Sequence, residues 1–209
     1  METYRIGVIA DTHTPEALSD LPAGVLRLFD GVDLILHAGD ITGQEVLETL
    51  KTIAPVIAVK GDHDQINELP RKAVAEIGDK RIGLIHGRRP RWQELPSFIS
   101  NEVFASRNFN WGAFHSQVVH KFRQVDAIVF GHFHRPYIGW YNDVLLFNPG
   151  AVYQLTPERA QAQLAKPQSL LRRAYLLNAR RRLSIAPTVG LMILENGTIK
   201  AEILPIPNI

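Results

Sequence analysis

With 209 residues, 45% of them hydrophobic and 21% charged, the chain has the composition of a soluble globular protein with room for one large core. The absence of cysteine excludes disulfides and thiolate metal sites, fits a reducing cytosol, and leaves only nitrogen and oxygen donors for a metal. The net charge of +2 is small but uneven, because Arg159 to Arg182 holds seven Lys/Arg and no acid. Such a run suits a phosphate-rich partner, although charge runs more commonly form a solvated face.

The chain opens with METYRIGVIAD, whose apolar run has no basic lead-in and stops at Asp11, so no signal peptide is expected. No apolar run is long enough to span a bilayer, and the expected location is cytoplasmic. Short β-branched runs then recur at 4–10, 33–39, 55–61, 80–87 and 126–131. They are continuous rather than alternating, which predicts central strands covered on both faces. Between the first three lie helical patterns, Val25, Leu26, Leu28 and Phe29 in one and Val46, Leu47, Leu50 and Ile53 in the other. Strand–helix–strand alternation predicts parallel crossover units.

Hairpin turns are expected at Gly78-Asp79, Asn142-Asp143 and Asn196-Gly197. The prediction is an α/β fold with two sheets and helices outside, in a single domain spanning 1–209. Two segments interrupt it. One, about 88–122, is rich in aromatics, with Phe114, Val118 and Phe122 on one helical face. The other, about 154–186, is basic, with helix expected around 158–180.

Polar clusters follow nearly every strand: Asp11 and His13, then Asp40, then the run Gly61-Asp62-His63-Asp64, then His86, then His132 and His134. In open α/β sheets such groups project just beyond the carboxyl ends of the strands, where ligands collect. Three carboxylates and several imidazoles without sulfur suit Mn²⁺, Fe²⁺, Zn²⁺ or Ni²⁺. There are more donors than one ion needs, which points to two ions sharing a carboxylate. Glycines 39, 61, 87 and 131 stand beside these side chains where the backbone must turn sharply.

The ordered set D-x-H, G-D, G-D-H-D, H and G-H-x-H resembles the calcineurin-like metallophosphoesterases, and in its short length the small bacterial and archaeal phosphodiesterase branch. The segment FNPGAV at 147–152 is similar to one that follows G-H-x-H in that branch. The resemblance covers 4–152 and resumes at about 187–205, which leaves the basic insert outside it. It implies a four-layer fold, a two-sheet β-sandwich flanked by helices.

It also implies roles. Asp11, His13 and His134 would hold one metal, Asp62, His86 and His132 the other, and Asp40 would bridge them. Mn²⁺ is the first expectation, with Fe, Ni²⁺ or Zn²⁺ as alternatives. His63, oriented by Asp64, would serve the leaving group while a metal-bridging hydroxide attacks phosphorus. The substrate would be a phosphodiester or a small phosphomonoester. Arg88 and Arg89, with Arg91, are candidate phosphate contacts. Two rival readings remain: a protein-binding scaffold without catalysis on the same fold, and a nuclease that grips nucleic acid with the basic insert.

One position departs from the family pattern, which has Asn where this chain has Asp62. The added negative charge would tighten metal binding and weaken attraction for a phosphate dianion, favouring singly charged diesters. His37 reads as a histidine supporting Asp40 from behind. His115 and His120 lie some 140° apart around a helix and read as packing or surface residues. Asn148 and Gly150 read as turn chemistry.

Overall fold

The computed structural model of the chain describes residues 2–103, 109–180 and 185–207. These fall into two compact units. The first comprises 1–88, 116–153 and 186–209, and the second 89–115 and 154–185.

The first unit contains both sheets. One has the order β10-β9-β1-β2-β3, with β1 (Thr3–Ile9), β2 (Leu34–His37), β3 (Val56–Ala58), β9 (Thr188–Glu195) and β10 (Thr198–Pro205). Strands β1, β2 and β3 run parallel, as their helical crossovers require, while β9 and β10 form an antiparallel hairpin. The other has the order β4-β5-β6-β8-β7, with β4 (Lys72–Ile77), β5 (Lys80–Ile85), β6 (Ala127–Phe130), β7 (Pro136–Tyr141) and β8 (Val144–Pro149). Here β5, β6 and β8 are parallel, and the hairpins at Gly78-Asp79 and Asn142-Asp143 add an antiparallel strand at each edge. All three predicted hairpins form. The five predicted strands also form, but β3 is a three-residue edge strand with Val56 and Ile57 only half-buried. Its apolar run continues into a loop at Val59, and a continuous run alone does not distinguish an edge from a centre.

Alternation within the strands sorts the core. Ile6, Val8 and Ala10 of the first sheet join Ile82, Leu84, Val129 and Phe147 of the second in one buried cluster between the sheets. The opposite face of the first sheet, with Ile9 and Ile35, packs against Val25 and Phe29 around α1 (Ala23–Leu28) and Val46, Leu47 and Leu50 of α2 (Gln44–Lys51). On the far side of β5, the Phe122 ring lies over Gly83. The layering is that of two mixed sheets with helices outside, as predicted.

The second unit holds α3 (Arg91–Phe98), a π-helical turn over Ile99–Val103, α5 (Pro157–Leu164) and α6 (Leu170–Ala179). The chain passes between the units within α4 (Phe114–Val119). Helix α6 packs on both α5 and the π-helical turn. The helix expected around 158–180 forms as two, interrupted around Pro167, with Thr156 and Ser169 capping their N-termini through side-chain oxygens. Phe104 and the last two cations of the basic run, Arg181 and Arg182, lie outside the described residues.

Candidate metal centre

The candidate ligands stand just past the ends of parallel strands: Asp11 and His13 after β1, Asp40 after β2, Asp62 after β3, His86 after β5, and His132 and His134 after β6. Five of them, Asp11, His13, Asp40, His132 and His134, have positive φ between 48° and 73°. A non-glycine residue pays about 1–3 kcal/mol for that backbone, and such strain gathers where a function demands the geometry. Gly39 turns at φ +92°, whereas Gly61 is needed for space, because a Cβ there would run into the backbone and carboxylate of Asp40.

The chain brings all seven together. Asp11, His13 and His134 form one cluster in which each offers a donor atom within 4.8 Å of the others. Asp62, His86 and His132 form a second on the same criterion, and Asp11, Asp40 and His86 a third that links them. His13 Nε2 lies 3.4 Å from His134 Nε2, and His132 Nδ1 lies 3.3 Å from Asp62 Oδ2. Oδ2 of Asp40 sits between the two clusters, 3.6 Å from His13 Nε2 and 3.4 Å from His86 Nε2. The two histidines of Gly131-His-Phe-His134 divide between the clusters as expected.

Carbonyl oxygens set two of the rings. His86 Nδ1 donates to Ala38 O at 2.9 Å and His134 Nδ1 to Tyr153 O at 3.0 Å, so in its neutral form each ring turns its Nε2 lone pair toward the carboxylates. Among the described residues, Nε2 of His86 is buried and makes no hydrogen bond. A cation at this point would satisfy it.

Electrostatics agree with that fit. Burial pushes the Asp11 carboxyl up to about 7, more than His86 and His132 can offset. Burial pushes His134 down to about 3 and also lowers His13, so both rings are neutral and able to donate near neutral pH. For Asp40 burial opposes the charge, yet contacts from His86, His63 N–H and His13 hold its carboxyl well below the usual range. Burial likewise opposes the charge of Asp62, but His132, His86 and Arg88 lower its pKa. His86 goes the other way: burial disfavours its cation, but Asp40 and Asp11 raise its pKa.

Two expectations are corrected. Asp64 does not orient His63. Its carboxylate accepts four backbone N–H groups, those of Ile41 and Thr42 on Oδ1 and those of Asp40 and Gly61 on Oδ2, at 2.7–3.0 Å. It ties the loop after β3 to the loop after β2. The carboxylate beside the half-exposed His63 ring is Glu16, 3.4 Å from Nδ1 and 4.0 Å from His13 Nδ1. The only trace of Glu16 in the sequence is a carboxylate three residues after His13 in His-Thr-Pro-Glu, which nothing marked as functional.

Arg89 is the second correction. It is buried in the second unit, where its guanidinium donates to Trp111 O and lies over the Phe114 ring, so it is a packing residue and not a phosphate contact. Arg88 does reach the cluster, donating from Nη1 to Asp62 Oδ1 at 3.0 Å. The side chain of Arg91 lies outside the described residues.

His37 lies behind the site. Its Nδ1 accepts from Gly39 N–H and its Nε2 faces Thr12 Oγ1 at 3.3 Å, with burial pushing it down to about 4. Asn148 donates to Gly131 O and accepts from Gly150 N–H, which is turn chemistry. His115 packs beside Trp111, and His120 bonds back to Ser116 O.

The profile of the calcineurin-like phosphoesterase superfamily domain matches residues 4–166, past the point at 152 where the motifs themselves end. A probable metallophosphoesterase of Methanocaldococcus jannaschii is 40% identical over 151 residues, 71% of this chain and 68% of that one. Among solved structures, a novel archaeal phosphodiesterase superposes with a TM-score of 0.58 at 19% identity, covering 96% of this chain and 99% of that one. Vacuolar Protein Sorting 29 from Cryptosporidium Parvum does so with a TM-score of 0.60 at 22% identity, covering 97% of each. At those identities the two structures speak to the fold.

Proposed function

Since the chain belongs to the calcineurin-like phosphoesterase superfamily, and is thereby a metal-dependent phosphoesterase, we propose that it hydrolyses a phosphodiester or small phosphomonoester at a two-metal site. The observation that carries this reading is the position of Asp40 Oδ2, 3.6 Å from His13 Nε2 and 3.4 Å from His86 Nε2, between two donor clusters. Asp11, His13 and His134 would hold one ion, Asp62, His86 and His132 the other, with Asp40 shared.

When bound, a pair of divalent ions would neutralise the phosphoryl oxygens and supply a deprotonated water as nucleophile. The sulfur-free donor set accepts Mn²⁺, Fe, Ni²⁺ or Zn²⁺ alike, and Mn²⁺ is the ion we expect first. The rest falls to the chain. His86 and His134 are held in one tautomer by carbonyls, which keeps their lone pairs aimed inward. His63 stands at the mouth, its backbone N–H on Asp40 Oδ1 at 2.9 Å and its ring beside Glu16. From there it would pass a proton to the departing oxygen, a role that contributes roughly 10²–10⁴-fold. Glu16 would hold the ring for that transfer.

The test is hydrolysis of bis(p-nitrophenyl) phosphate by protein stripped of metal and reloaded with Mn²⁺, beside a His13→Ala variant. The expected result is turnover that requires both the metal and His13. Metal uptake by the wild type without turnover on mono- or diesters would overturn the catalytic reading in favour of a protein-binding scaffold.

A further inference from the structure

The carboxylate of Asp62 is split between two directions. Oδ2 faces inward, 3.3 Å from His132 Nδ1 and 3.9 Å from His86 Nε2. Oδ1 faces outward and accepts from Arg88 Nη1 at 3.0 Å. Arg88 is half-exposed, and its Nη2 and Nε make no hydrogen bond among the described residues, so the other edge of the guanidinium stays open.

An asparagine at this position would keep an inward oxygen, but its amide nitrogen would take the outward place. Two donors, the amide NH₂ and the guanidinium, would then face each other. Asp62 and Arg88 are therefore complementary, and neither fits alone: a third carboxylate without Arg88 cancels the positive charge that attracts a phosphate, and Arg88 without that carboxylate repels a cation.

Building on the two-metal reading, we propose that Asp62 and Arg88 act as one unit, in which Arg88 compensates the additional carboxylate and presents its free edge to a phosphoryl oxygen of the substrate. The net positive charge that Asp62 removes is returned by Arg88 on the substrate side, where a guanidinium meets phosphate with directed hydrogen bonds. The pair thus separates metal holding, on Oδ2, from anion holding, on Arg88.

The test is a double-mutant cycle read by calorimetric titration of Mn²⁺ into the metal-free protein, and of inorganic phosphate into the loaded protein. Asp62→Asn alone should weaken Mn²⁺ binding about 100-fold, because it leaves Arg88 uncompensated beside the ion. Adding Arg88→Gln should recover most of that loss. Arg88→Gln alone should hold Mn²⁺ within a few-fold of wild type while phosphate binding falls at least about tenfold, as expected for a lost charge-assisted contact. Arg88→Lys serves as the second variant. It keeps the charge, so Asp62→Asn should remain as costly in its background as in wild type.

Equal Mn²⁺ losses in Asp62→Asn and in Asp62→Asn with Arg88→Gln would overturn the coupling alone, as would unchanged phosphate binding in Arg88→Gln. Failure of the wild type to bind any of Mn²⁺, Ni²⁺ or Zn²⁺ would overturn the two-metal reading and this proposal with it.

Discussion

Asp11 shows how a single residue can be shaped against its own stability. It is fully buried, held at φ +52°, and its carboxyl titrates at about 7. An unfolded aspartate titrates near ~3.9. Between those values the folded metal-free protein holds a proton that the unfolded chain has released, so its stability falls as pH rises from about 4 to about 7. Asp11→Asn removes that penalty. In chelator at pH 8 the variant should melt roughly 5 °C or more above wild type, with the gap narrowing as pH falls toward 4. Its Mn²⁺ affinity should drop at least about 100-fold, since a charged ligand is gone. A variant less stable than wild type at pH 8 would show that Asp11 is not an unpaired charge awaiting a cation. The residue types at these positions were all legible in the sequence. Their left-handed backbones were not, because φ at a non-glycine position follows from the loops on either side.

Among the elements, the loops after β2 and β3 matter most, and Asp64 joins them. Four N–H donors converge on one buried carboxylate. Charge-assisted hydrogen bonds of this kind are the strong ones, and a buried donor left without an acceptor loses its hydration with nothing in return. Asp64→Asn presents a donor to that nest and should destabilise the metal-free protein by on the order of 3 kcal/mol in urea unfolding. It should also weaken metal binding without touching any metal, because Asp40 and Asp62 flank the nest. An unchanged urea midpoint would refute the structural role. Asp64 and His63 are adjacent along the chain, and adjacency alone pairs them. In the fold, adjacent side chains after a strand end point apart, and the carboxylate that meets His63 is Glu16.

For the whole molecule, binding is a stability statement. Saturation with a ligand at about 100 times its Kd adds about 2.7 kcal/mol to the folded state. For a domain of this size that corresponds to a rise in Tm of roughly 5–10 °C. Mn²⁺ should produce it and a chelator reverse it, with a smaller rise at pH 6 than at pH 8 because Asp11 must release a proton before it binds. Thermal melts across that pH range measure this, and no shift with any of Mn²⁺, Ni²⁺ or Zn²⁺ would count against a metal centre. Two segments that looked like separate interruptions, around 88–122 and 154–186, contribute residues 89–115 and 154–185 to one compact second unit. Sequence distance gave no sign of that pairing.

What the sequence determined by itself was the chemistry and its order along the chain. Continuous apolar runs specify strands, and polar residues placed just beyond them specify a site, because a strand's end fixes where the next side chains emerge. Turn residues between those runs specify the three hairpins, and the order of the polar motifs specifies the family. The tertiary structure decided everything that depends on which side chain faces which: Glu16 beside His63, Asp64 beneath the loops, Arg88 on Asp62, Arg89 buried in the second unit, and β3 at an edge. Those are contacts between residues 26 positions apart in Arg88 and Asp62 and farther still in Glu16 and His63, set by loop closure and packing, and local pattern carries no information about them.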